Sequence, residues 1–129
     1  MPKPKVLVAD DDRVYVEAVT AVLETQFDVV TSFSGTEALE KAARELPDVI
    51  VLDVMMDHLS EGFDVARKLK RDPLTRDIPL IMLTAVDEVY NYRMEIEESY
   101  VPYDRYLEKP IEPEQLLTVI DEVITAPVR

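Results

Sequence analysis

Two hydrophobic patterns alternate along the chain. Unbroken apolar runs stand at residues 6–9, 49–52 and 78–83. Such runs fit strands buried on both faces of a sheet. Val29 with Val30, and Tyr106 with Leu107, are shorter runs of the same kind. The segments between them carry helical spacing. Tyr15, Val19, Val22 and Leu23 share one helical face. Leu39, Ala42, Ala43 and Leu46 share a second, and Leu116, Ile120, Val123 and Ile124 a third. Ala66 and Leu69 mark a helix between the third and fourth strands, and 87–98 is a more polar helix candidate. Five β–α units in this order predict an α/β fold with a parallel sheet covered on both faces.

The turn residues agree. Gly35 and Thr36 stand before the second helix, as a small turn residue and a hydroxyl cap. Pro47 closes that helix, and Pro113 suits the first turn of the last one. Asp12 is read as the cap of the first helix rather than a metal ligand. No repeat, low-complexity tract or linker interrupts the 129 residues, which predicts one domain with a core from about 5 to 125.

Charge and composition narrow the function. The formal net charge of −13 disfavours direct nucleic-acid binding, which needs clustered Lys and Arg. Proteins and cations are the expected partners. The absence of cysteine removes disulfides and thiolate metal sites. No run approaches the roughly 20 apolar residues of a membrane span, and no apolar signal region precedes the first strand. A cytoplasmic protein without membrane contact is the expectation.

The chemistry lies in the polar residues at strand ends. Asp10, Asp11 and Asp12 follow the first strand, Asp53 ends the third, Thr84 ends the fourth, and Lys109 with Pro110 follows the fifth. Parallel strands bring these ends to one edge, where α/β folds bind ligands. Clustered carboxylates repel one another, and a divalent cation relieves that repulsion. Oxygen donors without cysteine and with one histidine suit Mg²⁺, or Mn²⁺, rather than zinc. A carboxylate beside such an ion is a nucleophile toward phosphorus, and Thr84 and Lys109 supply donors for the transferred group.

The runs Val6-Leu-Val-Ala-Asp-Asp-Asp, Val49-Ile-Val-Leu-Asp-Val-Met-Met, Leu80-Ile-Met-Leu-Thr-Ala and Tyr106-Leu-Glu-Lys-Pro resemble the signature segments of response-regulator receiver domains. The resemblance implies a doubly wound, flavodoxin-like (βα)5 sandwich with strand order 2-1-3-4-5. It implies that Asp53 accepts a phosphoryl group and that Asp10, Asp11, Asp53 and the Met55 backbone carbonyl hold Mg²⁺. It makes Thr84 and Lys109 the phosphoryl-binding pair, Ala85 the small residue that keeps access open, and Tyr106 the aromatic switch that turns with Thr84. Lys109-Pro110 matches the family's cis Lys–Pro position. The implied partners are a histidine kinase or phosphotransfer protein and an output protein on the face of the fourth helix, fifth strand and fifth helix. The chain is then a phosphoacceptor that assists its own phosphorylation and dephosphorylation, not a classical enzyme. It is either a stand-alone regulator or a domain of a longer protein.

Two departures from the family pattern stand out. Asp57 occupies a usual proline position and Gly62 comes one residue late, so the loop over 57–61 is longer and more acidic. The stretch 87–106 is longer than typical and holds Tyr90, Tyr92, Tyr100, Tyr103 and Tyr106, either as packing beneath a rebuilt fourth helix or as a partner face, a homodimer included. His58, the single histidine, reads as solvent-exposed, and Met55 and Met56 as packing residues. An aspartyl-phosphate phosphohydrolase is disfavoured, because Val54 and Met55 stand where its second acid belongs. A pseudo-receiver that binds partners without phosphorylation is the alternative, and the complete Asp, Thr and Lys set argues against it.

Overall fold

A computed structural model describes residues 3–53, 61–85, 105–109 and 111–125, and for 61–63, 84, 85, 106 and 109 it gives their place in a helix or strand alone. Its strands are β1 (Lys5–Ala9), β2 (Asp28–Ser32), β3 (Val49–Asp53), β4 (Leu80–Ala85) and β5 (Arg105–Lys109). Its helices are α1 (Arg13–Leu23), α2 (Gly35–Glu45), α3 (Glu61–Arg71) and a C-terminal helix (Pro113–Thr125). The five strands form one parallel sheet in the order β2-β1-β3-β4-β5, as the sequence resemblance implied.

Alternation along the strands divides the core into two layers. Leu7, Ala9, Ile50, Leu52, Leu80 and Met82 face Ala38 and Ala42 of α2 and Val65, Ala66 and Leu69 of α3. Val6, Val8, Val49, Val51, Ile81 and Leu83 face Val16, Val19 and Leu23 of α1 and Leu116 and Ile120 of the C-terminal helix. Both faces of β1, β3 and β4 are therefore dry, which is why those strands read as continuous apolar runs. β2 is an edge strand and half-exposed, so only Val29 and Val30 of its five residues stood out.

Several expectations are corrected. The hydroxyl cap of α2 is Ser34, whose Oγ accepts from the Glu37 N–H at 3.2 Å, and Gly35 and Thr36 lie in the first turn. Leu46 does not extend the apolar face of α2. It is the C-cap, left-handed at φ 46° and 51% exposed, because Pro47 follows and disfavours a further helical residue. Val16, not Tyr15, is the fully buried residue at the start of α1. β4 begins at Leu80 rather than Ile78, and Glu61, read as the end of the 57–61 loop, opens α3. Residues 54–60, which hold Met55, Met56, Asp57 and His58, lie outside the described set, as do 86–104 and Pro110.

Candidate functional site

The carboxyl ends of β1 and β3 build the site. The last paired residues of these neighbouring strands are Ala9 and Leu52. Asp10 and Asp53 come next, at the same height and on the same alternation parity as Val8 and Val51. Their side chains are consequently brought together, and both are buried, at 1% and 5% exposure. Asp11 is exposed and completes the group. One ligand oxygen from each of Asp10, Asp11 and Asp53 lies within 4.8 Å of the others.

Hydrogen bonds fix the turn that carries the first two acids. The Asp10 N–H donates to the Ser32 carbonyl at 3.1 Å, which extends the β1–β2 ladder by one step. Asp10 Oδ1 accepts from the Asp12 N–H at 3.0 Å. Asp12 Oδ1 in turn accepts from the Tyr15 N–H at 3.1 Å and caps α1, as its place before the helix suggested. The three consecutive acids thus divide their work. Asp10 shapes the turn and joins the acidic group, Asp11 joins that group as its exposed member, and Asp12 serves the helix. At the other end of the edge, Tyr15 Oη donates to the Ile111 carbonyl at 3.2 Å and ties α1 to the segment after β5.

The donor set fits a hard divalent cation. All three candidate ligands are oxygens, one from each acid, within 4.8 Å of one another. Mg²⁺ is held by a few carboxylates and keeps water or phosphate oxygens at its remaining positions, which a group of this kind would suit. A closed tetrahedral zinc site wants nitrogen or sulfur instead.

The strand frame also positions the expected phosphoryl-binding residues. Asp53 pairs with Leu83, so Thr84 stands one residue beyond it on the next strand. Ala85 pairs with Lys109, and both are the final residues of their strands. Thr84 is therefore the penultimate residue of β4, and Lys109 closes β5 rather than following it. Tyr106 pairs with Met82 near the start of β5. The roles expected of the Thr84, Tyr106 and Lys109 side chains, and of the Met55 carbonyl, concern atoms outside the described set.

A five-stranded parallel sheet in this order, with an acidic cleft at its carboxyl edge, defines a receiver-like protein. The model of the response regulator receiver domain matches residues 6–121, and the chain belongs to that family. The response regulator PleD of Caulobacter vibrioides is 48% identical over 84 residues, covering 64% of this chain and 18% of that protein. The alkaline phosphatase synthesis transcriptional regulatory protein PhoP of Bacillus subtilis is 39% identical over 113 residues, covering 87% of this chain and 45% of that one. The chain thus spans less than half the length of either relative. The high-resolution structure of the chemotaxis response regulator CheY4 of Vibrio cholerae superposes with a TM-score of 0.80 at 29% identity, covering 94% of this chain and 98% of that one. Receiver domains are signalling domains of two-component systems rather than classical enzymes, and they interact with histidine kinases and output domains. They bind Mg²⁺ through an acidic cluster, and this chain groups Asp10, Asp11 and Asp53. No helix of the described residues is long and apolar enough to cross a membrane.

Proposed function

We propose that this chain is a single cytoplasmic receiver domain in which Asp53 accepts a phosphoryl group from a histidine kinase or phosphotransfer protein. The observation that carries the reading is the meeting of Asp10, Asp11 and Asp53 at one sheet edge, with Asp53 buried at the end of β3. Asp10, Asp11, Asp53 and the Met55 carbonyl are the proposed ligands of Mg²⁺, with Mn²⁺ able to replace it. The bound ion supplies charge neutralisation for the carboxylates and for the phosphoryl oxygens.

The step itself is a displacement at phosphorus. An Asp53 carboxylate oxygen forms the new P–O bond, the P–N bond of the donor phosphohistidine breaks, and the leaving imidazole takes up a proton. The buried end of β3 holds the Asp53 carboxylate in one place, which lowers the entropy cost of the encounter. The Lys109 ammonium and the Thr84 hydroxyl are the proposed donors to the phosphoryl oxygens.

The product carries about −1.5 to −2 charge. Each new charge-assisted bond contributes about 1.5–3 kcal/mol. Moving a two-state equilibrium from 1:99 to 99:1 takes about 5.5 kcal/mol, which two or three such bonds provide when they form in one state only. Thr84 and Tyr106 are the proposed switch. The face of the helix expected over 87–98, β5 and the C-terminal helix is the proposed output surface, where an output protein or a second copy docks.

The test is incubation with Mg²⁺ and a small acyl phosphate, followed by intact-mass measurement. A labile phosphoryl adduct is expected on the native chain and on neither Asp53→Asn nor the native chain in EDTA. An unlabelled native chain, with a competent kinase also tried, would favour a receiver that binds partners without phosphorylation.

A further inference from the structure

Among the described residues, Arg13 is a cation near this acidic group that the expected set leaves out. Arg13 is the first residue of α1, two positions after Asp11, and it is solvent-exposed. Its guanidinium carbon lies 4.0 Å from the centroid of the Phe33 ring, a cation–π distance. Among the described residues it forms no ion pair. Phe33 is itself held from α2. Its N–H donates to Glu37 Oε1 at 2.8 Å, while the Glu37 N–H donates to the Ser34 hydroxyl. This is a reciprocal cap of the helix start, shifted one residue outward. The α2 cap holds the Phe33 backbone, and the ring it carries parks the guanidinium.

The sheet register locates that charge. Ser32 pairs with Ala9, so Phe33 sits beside Asp10, and Asp10 beside Asp53. Strands are spaced about 5 Å apart, which puts the Phe33 backbone one strand from Asp10 and about 10 Å, or two strands, from Asp53, and the guanidinium lies over the ring that this backbone carries. The Debye length at physiological salt is about 8 Å, so Arg13 acts on charges at the cleft with partial screening.

We infer that Arg13 determines how readily an anionic phosphodonor, as opposed to a cation, enters this cleft. The inference rests on the phosphoacceptor reading of Asp53. A chain of net charge −13 with three clustered carboxylates repels a phosphorylated donor, and the parked guanidinium offsets part of that repulsion. The same charge opposes the divalent ion that the carboxylates attract. Arg13 therefore moves the two ligands in opposite directions.

That opposition is the test. In low salt, Arg13→Gln should slow labelling by a small acyl phosphate roughly two- to fourfold and Arg13→Glu should slow it further, from a unit charge about 10 Å from a dianion in water. Both variants should bind Mg²⁺ more tightly than the native chain in calorimetric titration, with Arg13→Glu the tighter. The differences should shrink toward about 1 M salt, where the Debye length is about 3 Å. A merely structural Arg13 would leave both quantities unchanged or lower both, independently of salt, and either result overturns the inference. A native chain that binds Mg²⁺ yet is never labelled would defeat the phosphoacceptor reading instead, and the order of Mg²⁺ affinities would still decide on Arg13.

Discussion

Asp10 and Asp53 occupy the same step of two adjacent parallel strands, each one residue beyond the last paired positions, Ala9 and Leu52. Both are buried and both are acids, so the fold holds like charges together at the end of its driest strands. Two charges less than 5 Å apart at an intermediate dielectric repel by on the order of 3 kcal/mol. Holding the two acids side by side carries a cost that a bound divalent cation reduces.

The first prediction follows from that cost. In EDTA, Asp53→Asn is expected to raise stability in urea by about 1–3 kcal/mol, because it removes one of the repelling charges. Mg²⁺ should stabilise the native chain by about 1.4 kcal/mol at roughly ten times its dissociation constant. The gain should largely vanish in Asp53→Asn and Asp10→Asn. Equal Mg²⁺ stabilisation of all three proteins would place the ion elsewhere.

A second prediction separates the consecutive acids. Asp12→Ala removes the α1 cap and should cost about 0.5–2 kcal/mol of stability while leaving Mg²⁺ affinity nearly native. Asp11→Asn should do the reverse, because Asp11 is exposed and belongs to the ligand group. Urea unfolding and calorimetric Mg²⁺ titration of the two variants check this directly. A large affinity loss in Asp12→Ala would contradict the division of roles.

The sequence carried most of this frame, for a physical reason. β1, β3 and β4 are buried on both faces, so their apolar runs mark them without any partner information. Parallel strands then send Asp10, Asp53, Thr84 and Lys109 to one edge. What the sequence hid depends on neighbours distant along the chain. Asp28 and Ser32 do not look like strand residues, and Thr31 lies outside the short apolar run, since β2 is an edge strand. Its outer carbonyl at Thr31 accepts from the Lys41 ammonium of α2, an edge cover that no spacing rule reveals. Ser34 was missed as the cap because Gly35 and Thr36 offered a more familiar signal. Arg13 and Phe33 are twenty residues apart, and only the β1–β2 register brings them together. The Asp57 loop and the tyrosine-rich stretch before β5 remain expectations of the sequence alone.

A third prediction concerns pH. The Lys5 ammonium hydrogen-bonds the Glu45 carboxylate at 3.0 Å, and with its charge and a smaller contribution from Arg44 it holds that carboxyl below its ordinary value. A depressed folded-state pKa gives stability that is present above the ordinary carboxylate range and lost as pH falls through the folded value. Lys5→Met should move the Glu45 titration upward, read by carboxyl NMR, with a small effect on neutral-pH stability because the half-exposed pair is screened by solvent. An unmoved titration would show that the pair does not persist in solution.

The central claim is that Asp53 carries the phosphoryl group, and borohydride trapping tests it at the residue. The chain is treated with Mg²⁺ and a small acyl phosphate, reduced, digested and sequenced by mass spectrometry. An aspartyl phosphate is reduced to homoserine, and the account predicts homoserine at position 53 alone, dependent on both Mg²⁺ and donor. Homoserine at position 10 or 11, or a phosphoryl group recovered on His58 with position 53 unchanged, would contradict it.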